Sequence, residues 1–243
     1  MLDVDDELNL YLVVNSLKPS TMIGLSSLSP RLTSRVTKEE KLDGKVKYVT
    51  LRVNPDVVDD LKSLLDELGV AYKHWKQENV SEAWESGTKI MHQTCHGLMF
   101  YVGSNQPDLE RLLLAKSNED IGLALGFPKE AVESFQKVID GEKRDGSYFT
   151  VSLARAKQAG LELPTWLAYI CFVPENLDLV NGNISPSSKI IGEKYQAFVR
   201  ANNPELAQRA EQHFLERKLP DKWEKTPSGG YSCSYILQPS PNR

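Results

Sequence analysis

The sequence has few of the residues that specialised chemistry requires, and each shortage excludes a class of protein. Its three cysteines, Cys95, Cys171 and Cys233, are far apart in the chain and odd in number. They therefore predict neither a disulfide framework nor a paired-cysteine zinc motif, and they are typical of reduced thiols in the cytosol. We expect a cytoplasmic location.

Long apolar runs and an excess of basic residues are also missing. No run approaches the ~18 consecutive apolar residues of a membrane-spanning helix. The first residues, MLDVDDEL, are acidic where a secretion signal would be basic. Lys and Arg number 29 against 33 Asp and Glu, which gives a net charge of −4. We therefore expect no membrane association, and the composition does not favour a nucleic-acid partner, although it is compatible with a local basic stripe.

The motifs of common enzyme classes are absent as well. The chain contains no phosphate-binding loop, no dinucleotide-binding glycine motif, no GxSxG elbow and no HExxH zinc motif. No cofactor is predicted, and the sequence leaves open whether the protein is an enzyme.

What is present predicts an α/β (α+β) protein. Hydrophobic residues make up 40% and charged residues 26% of the 243 residues, an ordinary balance for one large or two small domains. The first half predicts a strand, a helix, two strands and a helix, an order that suits a small mixed sheet and makes a ferredoxin-like arrangement one candidate. These elements are predicted at residues 46–53, 55–68, 70–75, 97–103 and from Pro107 onward.

The second half predicts a helix-rich region. We predict an α/β domain with an N-terminal extension over residues 1–118, a helix-rich region over 119–225 and a polar tail over 226–243. Four helices are predicted, at 121–125, at 129–139, from Pro186 onward and from Pro204 to about 218. The helix that starts at Pro186 is predicted to carry Ile190, Ile191, Tyr195 and Phe198 on its apolar side. Between the helices we predict a turn at 141–146, a buried strand at 165–173 and a loop at 174–185. Upstream, residues 3–17 predict a helix, with a buried strand at 10–14 as the alternative, and residues 26–45 predict a surface loop.

The densest cluster of reactive side chains consists of His92, Cys95 and His96. Imidazole and thiolate are good ligands for zinc and related metals. In a helix the two histidines would share a face, whereas in a strand they would lie about 13 Å apart, too far to share an ion. The apolar run at 97–103 favours the strand, so these residues are weak metal candidates and no metal is predicted.

The same cluster could supply a nucleophile, because a nearby base activates a cysteine thiol. Neighbouring residues on a strand point to opposite faces, so His96 is poorly placed to act as the base for Cys95. His74 or His213 could approach only through the fold. A small buried thiol is the simpler interpretation.

The loop from Pro174 to Ser188 leads from the predicted buried strand into a helix. Such junctions often bind ligands, and the N–H groups of Ser187 and Ser188, with Lys189 behind them, are placed to hold an anion. The alternative is an ordinary Ser-Pro helix cap, which needs no ligand.

Glu130 and Glu133 lie three residues apart at the start of the helix predicted at 129–139. Two carboxylates in a cleft can act as an acid and a base. Acidic side chains in the first turn of a helix are also explained by the helix dipole, which they stabilise.

The stretch from Asp120 to Phe135, DIGLALGFPKEAVESF, resembles an uncharacterised, largely archaeal family catalogued as domain of unknown function 483. That family shows Ile-Gly, Leu-Gly-Tyr-Pro, a cysteine pair, a Val and a Phe, and this chain is similar at all of these positions except the cysteines. Looser matches are Phe100 to Gly103 and Val173-Pro174, so the resemblance covers about residues 98–200.

The cysteines are where the chain departs from the family. Glu130 and Ala131 replace the cysteine pair, and Glu175 and Leu179 stand where the family shows cysteines after the proline. A thiolate cluster in relatives would imply a metal or redox site, which this chain cannot build at those positions. The resemblance implies that the chain keeps the scaffold without that chemistry, or uses the carboxylates of Glu130 and Glu175 in its place.

Two functions follow as hypotheses. The first is a non-enzymatic binding or regulatory protein with a protein or small-molecule partner, and it leaves room for a homo-oligomer. The second is an enzyme or a small-ligand (anion) binding protein, with its site between the turn at Gly126–Pro128 and the loop at 174–188 and with His92 or His96 nearby. Its candidate ligand-binding residues are Glu130, Glu175, Ser187, Ser188 and Lys189.

Overall fold

Helices and strands both occur in the residues that the computed structural model describes, which are 2–25, 33–42, 46–85, 88–139, 147–225 and 231–234. The predicted α+β class is confirmed. The chain divides into two compact units, unit 1 (Met1–Asp6 with Leu10–Leu114) and unit 2 (Glu7–Asn9 with Ala115–Arg243).

The elements up to residue 114 agree with most of the predicted order. Residues 3–17 take the helical alternative, because the Asp3 carboxylate accepts a hydrogen bond from the Asp6 N–H at 2.8 Å and caps a helix. The elements are α1 (Val4–Val14), β1 (Ser20–Leu25), β2 (Thr33–Leu42), β3 (Val46–Val53), α2 (Pro55–Glu67), β4 (Ala71–Glu85), β5 (Thr88–Gly103) and α3 (Gln106–Leu114).

Strand β5 is the centre of a five-stranded mixed sheet, as its apolar run predicts. It pairs antiparallel with β4 along one side, and on the other side it pairs antiparallel with β1 and parallel with β3. Strand β2 pairs antiparallel with β3. Because β3 runs parallel and β4 runs antiparallel to the strand β5 between them, β3 and β4 point in opposite directions. The segment β3–α2–β4 is therefore not the split β-α-β unit of a ferredoxin-like fold, whose two outer strands are parallel to each other.

Helix α2 covers this sheet. The Asn54 side chain caps its start by accepting from the Asp56 N–H at 3.1 Å, and Gly69 follows its end with a φ of +67°. Its apolar stripe packs into one buried cluster with residues of α1, β1 and β5. That cluster includes Val13, Ile23, Val58, Leu61, Leu65, Phe100 and Val102.

Unit 2 is mostly helical, with a two-stranded antiparallel hairpin at its end. A loop over residues 170–185 precedes its longest helix, and Asn203 alone separates the last two helices. The elements are α4 (Asn118–Ala124), α5 (Lys129–Ile139), α6 (Ser147–Gln158), a 3₁₀ helix (Thr165–Tyr169), α7 (Pro186–Asn202), α8 (Pro204–Leu215), β6 (Lys222–Lys225) and β7 (Tyr231–Ser234).

A polar network ties the 3₁₀ helix to α7 and α8. The Glu211 carboxylate accepts from Arg200 Nε and Nη2 at 2.8 and 2.9 Å and from the Tyr169 hydroxyl at 2.7 Å. Gln196 donates to the same carboxylate at 3.1 Å. Burial tends to raise the pKa of Glu211, but the hydrogen bonds from Arg200, Tyr169 and Gln196 outweigh it and lower that pKa.

Close backbone packing supports the same junction. A Cβ at Gly192 of α7 would lie 2.4 Å from Trp166 Cε3 and 2.9 Å from the Trp166 carbonyl oxygen, so this position admits only glycine without rearrangement. Trp166 in turn belongs to the buried cluster of unit 2, which also contains Tyr148, Leu153, Leu167, Leu177 and Phe214.

Three predicted features are wrong. Residues 165–173 form a 3₁₀ helix followed by irregular chain rather than a strand, and β2 occupies part of the loop predicted at 26–45. Ile190 is predicted on the apolar side of α7, but it is 66% exposed and does not belong to the buried side of that helix. Helix α6 was not predicted, and the turn predicted at 141–146 lies outside the described residues.

Candidate functional site

The turn between α4 and α5 has a full local explanation. Ser117 and Asp120 form a capping box at the start of α4, and Gly126 ends that helix with a φ of +79°. The Phe127 N–H then donates to the Gly122 carbonyl at 3.0 Å, and the Pro128 carbonyl accepts the first hydrogen bond of α5. The two helices are thereby folded back against each other.

The contact between α4 and α5 is close at Gly122. A Cβ there would lie 2.8 Å from Val132 Cγ2, so the glycine lets the two helices approach each other. Next to this contact, the Phe127 and Phe172 rings meet at 5.2 Å between centroids with an angle of 42°. These two rings bring the turn against the irregular segment that follows the 3₁₀ helix.

An apolar cleft opens where α4, α5 and this segment meet. Its cavity volume is about 270 Å³. The Phe135 side chain at its edge is 49% exposed, and Cys171 is exposed as well. We call this feature the apolar cleft; it is lined by Asn118, Ile121, Gly122, Leu125, Phe127, Ala131, Val132, Phe135, Cys171, Phe172 and Val173.

A second, more open depression lies at the start of α7. It has a volume of about 570 Å³ and is lined mainly by side chains with oxygen or amide groups. Of the described residues that line it, none is a histidine. We call it the polar groove; its lining residues are Glu130, Glu175, Asn176, Asn183, Ile184, Ser185, Pro186, Ser187 and Ile190.

Helix α6 holds the loop that supplies much of the polar groove. The Tyr148 hydroxyl donates to the Pro174 carbonyl at 2.5 Å, and Ser152 Oγ accepts from the Leu179 N–H at 3.1 Å. Arg155 Nη1 lies 3.3 Å from the Asp178 carboxylate. Because Tyr148, Ser152 and Arg155 are spaced four and three residues apart, they share one face of α6.

The loop also has internal order. Asp178 and Asn183 exchange two backbone hydrogen bonds of 2.9 Å, and Gly182 takes a φ of +72° in the tight turn between them. The Asn181 side chain donates to the Asp178 carboxylate at 2.8 Å. Burial tends to raise the pKa of Asp178, but hydrogen bonds from Asn181 and the Arg155 charge lower it, so this carboxylate stays ionised within the loop.

The structure brings together part of the predicted ligand-binding set. Glu130, Glu175 and Ser187 all line the polar groove. Ser188 is fully buried, does not line the groove, and its Oγ has no hydrogen-bond partner among the described residues. Lys189 is also outside the lining, and its Nζ lies 3.7 Å from Glu193. The predicted set is therefore divided between the groove and its surroundings.

The histidine and cysteine cluster belongs to β5 of unit 1. His92, Cys95 and His96 are extended there, which places the two histidine Cα atoms about 13 Å apart and removes the helical arrangement that could have shared an ion. For these three residues the structure describes the backbone only. Among the side chains that are described, no group of three or more His, Cys, Asp or Glu is arranged to hold a metal ion.

Sequence reasoning missed the apolar cleft, although it covered most of the cleft's residues. The sequence feature that indicates the cleft is the large number of apolar residues on both sides of the Gly-Phe-Pro turn, from Ile121 to Phe135, together with the apolar residues Phe172 and Val173. By pattern alone, these residues predict helix packing and a buried strand. In the structure the 171–173 segment is irregular and lines one side of the cleft.

Comparison of the chain with protein-family models, with curated proteins and with solved structures gives no significant match. The resemblance to domain of unknown function 483 therefore stays a prediction. Within the described ranges, no helix combines the length and the apolar character needed to cross a membrane.

Proposed function

We propose that this protein is a non-enzymatic binding protein and that unit 2 binds a small molecule through an apolar group held in the apolar cleft. The observation that carries the proposal is the cleft itself. Small-molecule sites are concave, lined mainly by apolar side chains, and supplied with a few polar groups that orient the ligand. The apolar cleft has this composition, with Asn118 at its edge.

The size of the cleft limits the group that it can hold. A cavity of about 150 Å³ accommodates benzene, so 270 Å³ has room for about ten non-hydrogen atoms. The tilted ring pair of Phe127 and Phe172 offers an edge and a face to an aromatic or aliphatic group. We therefore expect a ligand that carries a single ring or a short branched chain.

A binding role fits the groups that line the cleft better than a nucleophilic mechanism does. Nucleophilic catalysis needs a base next to the nucleophile and a third group that orients the base, and a histidine is the usual base. Two histidines, His74 in unit 1 and His213 on α8, have side chains that the structure describes. Neither of these two lines the cleft or the groove.

The test is direct binding of a neutral probe to the full chain. We expect 2-phenylethanol to bind with a Kd of about 1 mM, which is typical for a probe of this size, as measured by ligand-observed NMR and calorimetry. The variant Cys171→Trp should abolish the binding, because the indole would occupy the cleft from an exposed position that tolerates a larger side chain.

The matched control is Leu215→Trp, which adds an indole at a 45% exposed position outside the cleft and should leave binding unchanged. The proposal is wrong if 2-phenylethanol and other small apolar probes fail to bind the parent chain. It is also wrong if they bind Cys171→Trp as tightly as the parent chain.

A further inference from the structure

We infer that the ligand of the apolar cleft carries a cationic group, such as a primary or secondary amine, that lies in the polar groove. This inference rests on the proposed function and adds the charge and position of the ligand's polar end. Its first support is that the linings of the two depressions contain residues that are neighbours along the chain. Glu130 of the groove and Ala131 of the cleft are consecutive residues, with Cα atoms about 3.8 Å apart.

The two linings are also neighbours along the segment after the 3₁₀ helix. Val173 lines the cleft and Glu175 lines the groove, and the buried Pro174 between them is held by a hydrogen bond from Tyr148 to its carbonyl. We therefore expect a short polar extension of a ligand seated in the cleft to come within reach of Glu130 and Glu175.

The second support is the charge of the groove. Its two ionisable lining residues, Glu130 and Glu175, are both acids. The remaining polar groups are hydroxyls and amides, which offer oxygen acceptors to an ammonium group with its three N–H donors. These groups belong to Asn176, Asn183, Ser185 and Ser187.

The lysines next to the groove do not supply a compensating charge to it. Lys129 Nζ lies 3.3 Å from Glu133 and Lys189 Nζ lies 3.7 Å from Glu193, in each case one turn along the same helix. Neither lysine lines the groove. Exposed pairs of this kind are weak, but they place both ammonium groups over their own helices.

These charges change the ligand predicted from the sequence. The start of α7 predicts an anion, because a helix N-terminus carries a partial charge of about +0.5. The two carboxylates in the same groove carry two full negative charges, which exceed that partial charge. Ser185 Oγ also already accepts from the Ser188 N–H at 3.5 Å. The groove therefore favours a cation over an anion.

The experiment compares three probes with the same phenyl group on the full chain at pH 7 and moderate salt. They are 2-phenylethylamine, 2-phenylethanol and phenylacetate, which are cationic, neutral and anionic. We expect the amine to bind about fivefold to tenfold more tightly than the alcohol, and phenylacetate to bind more weakly than either, as two partly screened charge contacts would produce.

The double variant Glu130→Gln with Glu175→Gln should remove the preference for the amine over 2-phenylethanol, because both negative charges of the groove are lost. Glu162→Gln removes an exposed carboxylate of unit 2 outside both depressions and should retain the preference. Equal binding of the three probes, or a preference for phenylacetate, would overturn the inference and leave the proposed function standing. If all three fail to bind, the proposed function itself is wrong.

Discussion

Helices α2 and α5 have the same kind of amphipathic sequence but different surroundings. In α2 the apolar side chains at Val58, Leu61 and Leu65 are 8%, 0% and 0% exposed. In α5 Val132 is 4% exposed, whereas Phe135, three residues later, is 49% exposed. The spacing of apolar residues therefore predicts the helix and its apolar side, but not whether that side is fully covered.

The difference arises from what each helix packs against. Helix α2 lies on a sheet, whose extended strands present a continuous row of buried side chains such as Ile23, Phe100 and Val102. Helix α5 is faced by the two-turn helix α4 and by the irregular segment around Phe172. Short and irregular elements cover less area than a sheet, so the end of the α5 stripe borders a cavity.

The largest expected effect comes from creating a cavity beneath α2, whose apolar side is fully covered. Leu61→Ala should lower the free energy of unfolding by about 2–5 kcal/mol, because it leaves a cavity under α2 that the surrounding sheet cannot fill. Urea unfolding followed by circular dichroism measures this loss. Leu68→Ala, at the 36% exposed end of the same helix, is the control and should cost less than about 1 kcal/mol. Equal losses for both variants would show that the apolar stripe of α2 is not fully covered.

An intermediate effect is expected at the polar network of unit 2. Glu211→Gln should lower the free energy of unfolding by about 1 kcal/mol at pH 7, because Arg200 keeps a weaker and uncharged partner. The folded pKa of Glu211 is lowered below its ordinary value of 4.5, so its contribution is present above pH 4.5 and is lost as the pH falls through the folded pKa.

The pH dependence separates this charge effect from simple packing. The stability difference between Glu211→Gln and the parent chain should shrink as the pH falls below about 4.5 and stay constant between pH 6 and 8. The control is Glu193→Gln, which removes an exposed carboxylate paired with Lys189 at 3.7 Å. It should change the free energy of unfolding by less than about 0.5 kcal/mol both below pH 4.5 and between pH 6 and 8. A difference for Glu211→Gln that is independent of pH would contradict the charge effect.

Local signals were sufficient for much of the fold. The Asn54-Pro55 start and the Gly69 end of α2 were predicted from the sequence, as were the Ser185 cap of α7 and the span of α5. In each case the decisive interaction joins residues a few positions apart. The sequence does not predict helix α6 because the helix is buried on most of its faces: the consecutive residues Val151 to Ala154 are all buried, so no one-sided apolar stripe marks it.

The features that failed depend on distant partners. The apolar run at 165–173 predicts a strand as well as it predicts a buried helix, since periodicity cannot distinguish the two over so short a length. The 3₁₀ helix is selected by Gly192, which lets Trp166 approach α7, and by the Tyr169 hydrogen bond to Glu211 at 2.7 Å. The grouping of Glu130 with Glu175 was anticipated as a site, whereas the apolar cleft beside it depends on a chain course that no local pattern specifies.

The smallest effect on stability, and the most informative for the comparison, is expected at the open end of α5. Phe135→Ala should lower the free energy of unfolding by no more than about 1 kcal/mol, because half of the side chain already faces solvent. The same variant should weaken binding of 2-phenylethanol about fivefold, since it removes one wall of the apolar cleft. Leu123→Ala removes a side chain that is 41% exposed and lies outside the cleft lining, so it should have a similar effect on stability and none on binding. If Phe135→Ala instead destabilises the chain as strongly as Leu61→Ala, the α5 stripe is closed in solution, and the contrast between the two helices does not reflect a binding surface.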